Sequence, residues 1–164
     1  MPKLKLAIIG VGLIGGSLGM CLKDRLGDEI YITGMCRTQA SMGKAVELGA
    51  VDFASSNPEQ AVKEADIIFL STPVLQMVPM VEKLLPFIKP GAVITDAGST
   101  KQYIWNELKK ILPDNIYYVP GHPMTGREMS GVAAAKKDLF QNKCYVIVEK
   151  DDVPAEIHNK VCEL

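Results

Sequence analysis

Three observations predict a doubly wound α/β fold, a mostly parallel sheet with helices on both faces. A glycine loop directly follows an apolar run near the N-terminus, several later apolar runs do not alternate, and helical stripes lie between them. The opening stretch from Leu4 to Leu22 reads LKLAIIGVGLIGGSLGMCL. Its start has strand character, and Leu18, Leu22 and Leu26 recur behind it at helical spacing. Between them Gly10, Gly12 and Gly15 stand in the G-x-G-x-x-G spacing. The first glycine permits a tight turn, the second lets the backbone approach a pyrophosphate, and the third lets helix pack on strand. The helix behind the loop supplies free N–H groups and a positive dipole end, so no lysine is required, and the G-K-[ST] ending of a P-loop is absent. The expected cofactor contacts are Gly10, Gly12, Leu13, Ile14 and Gly15. A glycine-rich turn without a ligand has the same pattern; the strand before it and the helix after it favour the Rossmann-type reading.

The remaining elements follow in order. Ile30 to Gly34 is a short β-branched and aromatic strand, and the helix after it runs to Leu48 with Gly49 as its C-cap. Val51 to Ala54 is a third strand, and Asn57-Pro58-Glu59 starts a brief helix with a capping residue, a first-turn proline and an early acid. Asp66 to Leu70 is a continuous apolar run, as expected for a strand buried on both faces, and Ser71-Thr72-Pro73 stops it at the carboxyl edge, where such sheets bind ligands. Val74, Val78, Val81, Leu85 and Ile88 form the next stripe, Lys89-Pro90-Gly91 turns the chain, and Ala92 to Thr95 returns to the sheet. The loop Asp96 to Thr100 leads into a helix bearing Ile104, Trp105, Leu108 and Ile111, with Trp105 expected as a core anchor. Ile116 to Val119 is a sixth strand, and a polar, glycine-rich loop runs from Pro120 to Glu128. Ser130 to Leu139 is expected as a short helix, and Cys144 to Val148 as one more strand, antiparallel at the edge.

Cofactor choice turns on the end of the second strand. An NAD-type site places Asp or Glu about twenty residues past the glycine loop, to hydrogen-bond the ribose 2'-hydroxyl. Here the chain reads Gly34, Met35, Cys36, Arg37, Thr38, without a carboxylate. Its absence removes a repulsion against a 2'-phosphate, and Arg37 with the hydroxyls of Thr38 and Ser41 offers charge-assisted hydrogen bonds to one. NADP is therefore preferred, with NAD as second choice. Cys36, Arg37 and Thr38 join the expected cofactor contacts, as do Ser71, Thr72 and Pro73. Arg37 as a solvated surface charge and Thr38 as a simple N-cap are the competing readings.

At 164 residues the chain is long enough for one good core. A net charge of -1 gives no basic field for nucleic acid, which leaves a small molecule as the expected partner. Cys21, Cys36, Cys144 and Cys162 show no C-x-x-C spacing and the chain has 2 histidines, so no metal site is expected and the thiols are read as reduced and cytoplasmic. Lys3 and Lys5 precede an apolar stretch, as in a secretory leader. Glycines at 10, 12, 15, 16 and 19 dilute that stretch, so neither a leader nor a membrane span is expected.

In a doubly wound sheet the loops after successive strands meet at one edge, which should gather Ser99 and His122 near the reactive end of the cofactor. A group that takes the proton from a substrate alcohol must accompany hydride loss, and histidine has the pKa range for it. Ser99 would orient the imidazole or the substrate. An N-cap serine and a loop histidine held by a backbone carbonyl remain the alternatives.

Four motifs carry a family resemblance: GVGLIGGSLG at Gly10 to Gly19, ADIIFLSTP at Ala65 to Pro73, DAGSTK at Asp96 to Lys101 and GHPMTGREMSG at Gly121 to Gly131. Together they resemble the prephenate and arogenate dehydrogenases of tyrosine biosynthesis. The first two are shared with many reductases; the last two are more specific. The resemblance implies oxidative decarboxylation, in which hydride leaves C4 of the cyclohexadienol ring for NAD(P)+, the ring carboxylate departs as CO2 and a phenol forms. It implies that His122 accepts the hydrogen bond of the C4 hydroxyl, that Ser99 holds both, and that Thr125, Gly126 and Glu128 line the substrate pocket. Arg127 receives no role. It also implies a Rossmann domain over residues 1–150, with 151–164 beginning a C-terminal helical domain that makes a homodimer. Ile157, Val161 and Leu164 form a stripe with nothing after it to cover it, and the chain alone is expected to bind cofactor with little turnover. Two other readings stand beside this one. One is another NADP-linked dehydrogenase or reductase of β-hydroxyacid or imine type, with a catalytic lysine on a later helix. The other is a dinucleotide-binding module without chemistry.

Overall fold

The computed structural model describes residues 4–164; Lys3, weighed above as part of a leader, lies outside them. Six parallel strands form one sheet: β1 (Leu4–Ile9), β2 (Ile30–Met35), β3 (Phe53–Ser55), β4 (Ile67–Leu70), β5 (Val93–Asp96) and β6 (Tyr117–Val119), in the order β3-β2-β1-β4-β5-β6. The order reverses between β1 and β4, so the crevice at their carboxyl ends is the topological switch point of a Rossmann-type fold.

The unbroken apolar runs are explained by cover on both sides. On one face α1 (Leu13–Leu26) and α2 (Gln39–Glu47) pack over Leu6, Ile8, Ile32, Ile67 and Phe69. On the other, α3 (Pro58–Val62), α4 (Val74–Leu84) and α5 (Gln102–Ile111) pack over Ala7, Ile9, Ile68, Leu70 and Ile94. Alternate residues of β1 and β4 thus enter opposite cores. Close approach of α1 to the sheet and its loops depends on Gly19, where an added Cβ would lie 2.0 Å from the carbonyl oxygen of Ala50.

Several expected elements differ. The third strand starts later, at Phe53; just before it Asp52 pairs with Ile32 through its own N–H, at 2.8 Å, and its carboxylate accepts the Ile32 N–H at 2.7 Å and the Lys23 ammonium at 2.6 Å. Residues 130–139 form no α-helix, only a 3-10 turn at Val132–Ala134. Gly131 enters that turn at a φ of 84°, and the segment docks on α1 instead, with the Lys136 N–H donating to the buried Ser17 hydroxyl at 2.9 Å. The expected edge strand is antiparallel, but β8 (Tyr145–Ile147) pairs with β7 (Gly121–Pro123) as a separate ribbon. The Pro120–Glu128 stretch, expected as loop throughout, therefore contains a strand. Trp105, expected as a core anchor, packs against the core while half-buried: its ring lies 6.0 Å from that of Tyr118, with the Lys150 ammonium 4.7 Å above it. The stripe on α6 (Ala155–Cys162), expected to lack cover, lies against the sheet, where Val161 packs on Val93 and Val119.

Gly19→Ala should destabilise the fold by about 2–3 kcal/mol, because the Cβ meets backbone that cannot swing aside. Gly43→Ala, in α2 with open space around it, should stabilise by about 0.5–1 kcal/mol. Urea unfolding of both variants checks the contrast.

Candidate active site

The glycine loop leaves β1 with Gly10 at a φ of 90°, a conformation that favours glycine. Its neighbour across the switch point is the loop after β4. The Ser71 hydroxyl donates to the Gly10 carbonyl at 2.8 Å, and an added Cβ on Gly10 would lie 2.9 Å from Thr72 Cγ2. A Cβ on Gly15 would meet Ser71 Oγ at 2.4 Å and the Gly10 oxygen at 2.7 Å, whereas Gly12 faces open space. Gly12 caps α1 without a side-chain hydrogen bond, and the first turn holds no acid. A helix leaves its first N–H groups without intrahelical partners, so this end fits an anionic pyrophosphate. The side chains of Leu13 and Ile14 pack against Ala134, Leu139 and Phe140, so their expected contacts with a cofactor would be made by backbone.

At the end of β2, Cys36 is buried against Val11, and burial pushes its thiol pKa up. Arg37 and Thr38 are exposed. Thr38 is the N-cap of α2: its hydroxyl accepts the Ser41 N–H at 3.1 Å and lies 2.8 Å from the Ser41 hydroxyl.

The second half of the edge is organised around a residue the sequence reading passed over. Asp96 closes β5 with its side chain fully buried, at 0% exposure. One carboxylate oxygen accepts the Gly98 N–H at 2.9 Å and the Lys101 ammonium. The other accepts the Tyr118 hydroxyl at 2.8 Å and the Gly121 N–H at 3.2 Å. The Asp96 carbonyl accepts the Tyr145 hydroxyl at 3.0 Å, and Lys101 also donates to the Gly121 carbonyl at 2.5 Å. The ends of β5, β6 and β7, the start of α5 and the ribbon strand β8 thus meet at one residue. Burial pulls the Lys101 pKa down, opposed by its hydrogen bond to Asp96 and the charge beside it. Burial first, and then the Asp96 charge, raise the pKa of the phenols of Tyr118 and Tyr145 well above the ordinary tyrosine range.

His122 is the middle residue of β7, opposite Val146 of β8. Strand alternation puts its imidazole on the face shared with the 41% exposed Val146, away from Gly121, Pro123 and Tyr145. Its Nδ1 lies 3.1 Å from the Met124 sulfur. The other histidine, His158, is buried in α6 and accepts the Lys150 N–H at 3.3 Å. Ser99 is exposed, one residue beyond the amide held by Asp96. The Thr125 hydroxyl donates to the Leu139 carbonyl at 3.2 Å, while Gly126 and Glu128 are exposed beyond it.

Residues 18–164 match the family model described as prephenate dehydrogenase, nucleotide-binding domain. The chain belongs to the prephenate dehydrogenase family. Prephenate dehydrogenase from Bacillus subtilis is 38% identical over 85% of this chain and 38% of its own length. Cyclohexadienyl dehydrogenase from Zymomonas mobilis is 31% identical over 92% of this chain and 51% of its own. Among solved structures, Synechocystis arogenate dehydrogenase superposes with a TM-score of 0.89 at 33% identity, covering 98% of this chain and 55% of that one. Prephenate dehydrogenase from A. aeolicus, in complex with hydroxyphenyl propionate and NAD+, superposes with a TM-score of 0.88 at 29% identity, covering 99% and 56%. The chain thus spans about half the length of these relatives or less. The matched region is the nucleotide-binding domain of that family. Among the described residues, no helix is long and apolar enough to cross a membrane.

Of the expected site residues, the structure brings Gly10, Gly15, Ser71 and Thr72 into contact, and it ties the backbone before Ser99 to the backbone before His122. The signals for the missed Asp96 and Lys101 were an acid ending a buried strand and a cation five residues on. Tyr118 and Tyr145 gave none, since tyrosines in strands are ordinary.

The phenols of Tyr118 and Tyr145 carry a pH signature. Their folded pKa values lie above the ordinary value of 10.0, so above that pH the unfolded chain releases protons that the folded one retains. Their contribution to stability is fully present below about pH 10 and is lost above it, at up to about 1.4 kcal/mol per pH unit for each tyrosine. Urea midpoints measured from pH 8 to 11 should fall more steeply for the parent than for Tyr118→Phe or Tyr145→Phe.

Proposed function

We propose that the chain is the catalytic nucleotide-binding part of an NADP-preferring dehydrogenase that oxidatively decarboxylates prephenate or arogenate. One observation carries the reading: a single carboxylate at the sheet edge that also holds the glycine loop tethers the segments bearing Ser99 and His122. A dinucleotide-sensing module has no use for that arrangement.

When bound, the nicotinamide supplies the hydride acceptor. The chain's part is to hold the pyrophosphate at the N-terminus of α1 and to manage the substrate's hydroxyl proton. His122 accepts the proton of the C4 hydroxyl as the carbon loses hydride, and Ser99 holds that hydroxyl in line. Loss of the ring carboxylate as CO2 leaves its electron pair in the ring, and the proton held by His122 returns to the C4 oxygen as the phenol forms. Thr125, Gly126 and Glu128 border the substrate beyond His122. The NADP preference is supported by the exposed Arg37 beside the N-terminus of α2 and by the absence of an acid at the end of β2. The NAD+ complex of the A. aeolicus relative makes NAD the competing choice.

Calorimetry with NADP+ and NAD+ should show NADP+ bound at least about tenfold tighter, with that margin lost in Arg37→Ala while NAD+ affinity changes less than about threefold. Equal affinities unaffected by the substitution would overturn the cofactor preference. In turnover assays with prephenate and arogenate on a protein carrying this chain at the full length of its relatives, His122→Asn should lower kcat about 100-fold or more and leave dinucleotide affinity intact; unchanged kcat would remove His122 from the chemistry.

A further inference from the structure

Ser99 and His122 come from different strand ends, yet both must address one hydroxyl. Each follows a glycine whose N–H is held by the same side chain: Gly98 by one oxygen of Asp96 at 2.9 Å, and Gly121 by the other at 3.2 Å. We infer that Asp96 is the positioning residue of the Ser99–His122 pair, setting the separation and orientation of the two groups through the backbone on either side of one buried carboxylate. The inference rests on the roles proposed above for that pair.

The surroundings are built for this task rather than for a simple ion pair. Lys101 balances the charge and also grips the Gly121 carbonyl, so both polar groups of that residue's backbone are fixed. Tyr118 supplies a further donor to the oxygen that holds Gly121, and Tyr145 anchors the carbonyl of Asp96 itself. Close approach is obligatory on both sides. A Cβ on Gly98 would lie 2.8 Å from the Asp96 carboxylate, and a Cβ on Gly121 would lie 2.8 Å from the Tyr145 ring and 3.0 Å from the Asp96 carbonyl oxygen. Any other residue at either position would push its segment off the anchor. A carboxylate is needed because it accepts on both oxygens. An amide of the same size turns one oxygen into a donor, facing either Gly98 and Lys101 or Gly121.

Asp96→Asn in the isotopically labelled 164-residue chain tests the inference by NMR. The amide signals of Gly98, Ser99, Gly121 and His122 and the imidazole Cε1–H signal of His122 should all move, while Gly10 and Gly12 stay in place and dinucleotide affinity changes less than threefold. In turnover assays of a protein carrying this chain at the full length of its relatives, kcat should fall at least about 100-fold with KM within threefold. Stationary Gly121 and His122 signals, or an unchanged kcat, would overturn the inference. Should Asp96→Asn not fold, Tyr118→Phe removes one neutral donor and leaves the carboxylate. It should move both pairs of signals through the shared anchor, and a response confined to Gly121 and His122 would overturn the inference. The NMR arms need neither cofactor nor substrate, so a parent chain that bound no dinucleotide would refute the proposed function and leave this test standing.

Discussion

A buried negative charge is costly unless it is fully hydrogen-bonded and balanced, and Asp96 is both. Four donors from two stretches of chain, residues 98–101 and 118–121, converge on its carboxylate and tie the polar loops to the packed strand β6. Ser99 and His122 are exposed or half-exposed, so they depend on their neighbours' backbone for position. Removing Asp96 would do more than break an ion pair, since two buried backbone amides and the Tyr118 hydroxyl would lose their acceptor together and Lys101 would keep only the Gly121 carbonyl.

The strand order connects this anchor to the phosphate end. β1 carries the glycine loop, β4 lies beside it, and β5 lies beside β4, with Leu70 opposite Asp96 and the Ala97 N–H donating to the Leu70 carbonyl at 2.9 Å. The loop after β4 touches the glycine loop through Ser71, and Gly98 approaches Val74 at the start of α4. Three adjacent strands therefore carry the glycine loop, the Ser71–Pro73 loop and the loop bearing Ser99 along one rim, with His122 on the separate β7–β8 ribbon tied to it through Asp96. A dinucleotide lying along that rim would reach from the N-terminus of α1 toward His122, which is the order of groups an oxidoreductase needs.

Much of this was legible from residues alone. The glycine spacing, the unbroken apolar run ending at Leu70, the short strand expected over Ala92–Thr95, and the caps at Thr38 and Asn57 all encode local rules, and the fold follows them. The failures share a cause. β7 is three residues long, includes Gly121 and Pro123, and exists because β8 pairs with it across more than twenty intervening residues. The segment after Gly131 has helical composition, yet a docking bond to Ser17 and contact with Gly16 outweigh its propensity. Trp105 packs one side of its ring on the core beside Tyr118 of β6 and turns the other to Lys109 and Lys150. Asp96 was visible as part of a loop motif, but its role depends on Tyr118, Gly121 and Tyr145, whose proximity only the tertiary fold creates.

The most direct test of the account is a crystal structure of the chain with NADP+ bound. The account predicts the pyrophosphate on the backbone N–H groups at the start of α1, the 2'-phosphate at Arg37, and the nicotinamide ring between Ser71–Pro73 and the Ser99–His122 pair. A dinucleotide seated elsewhere, or one whose nicotinamide points away from His122, would contradict it.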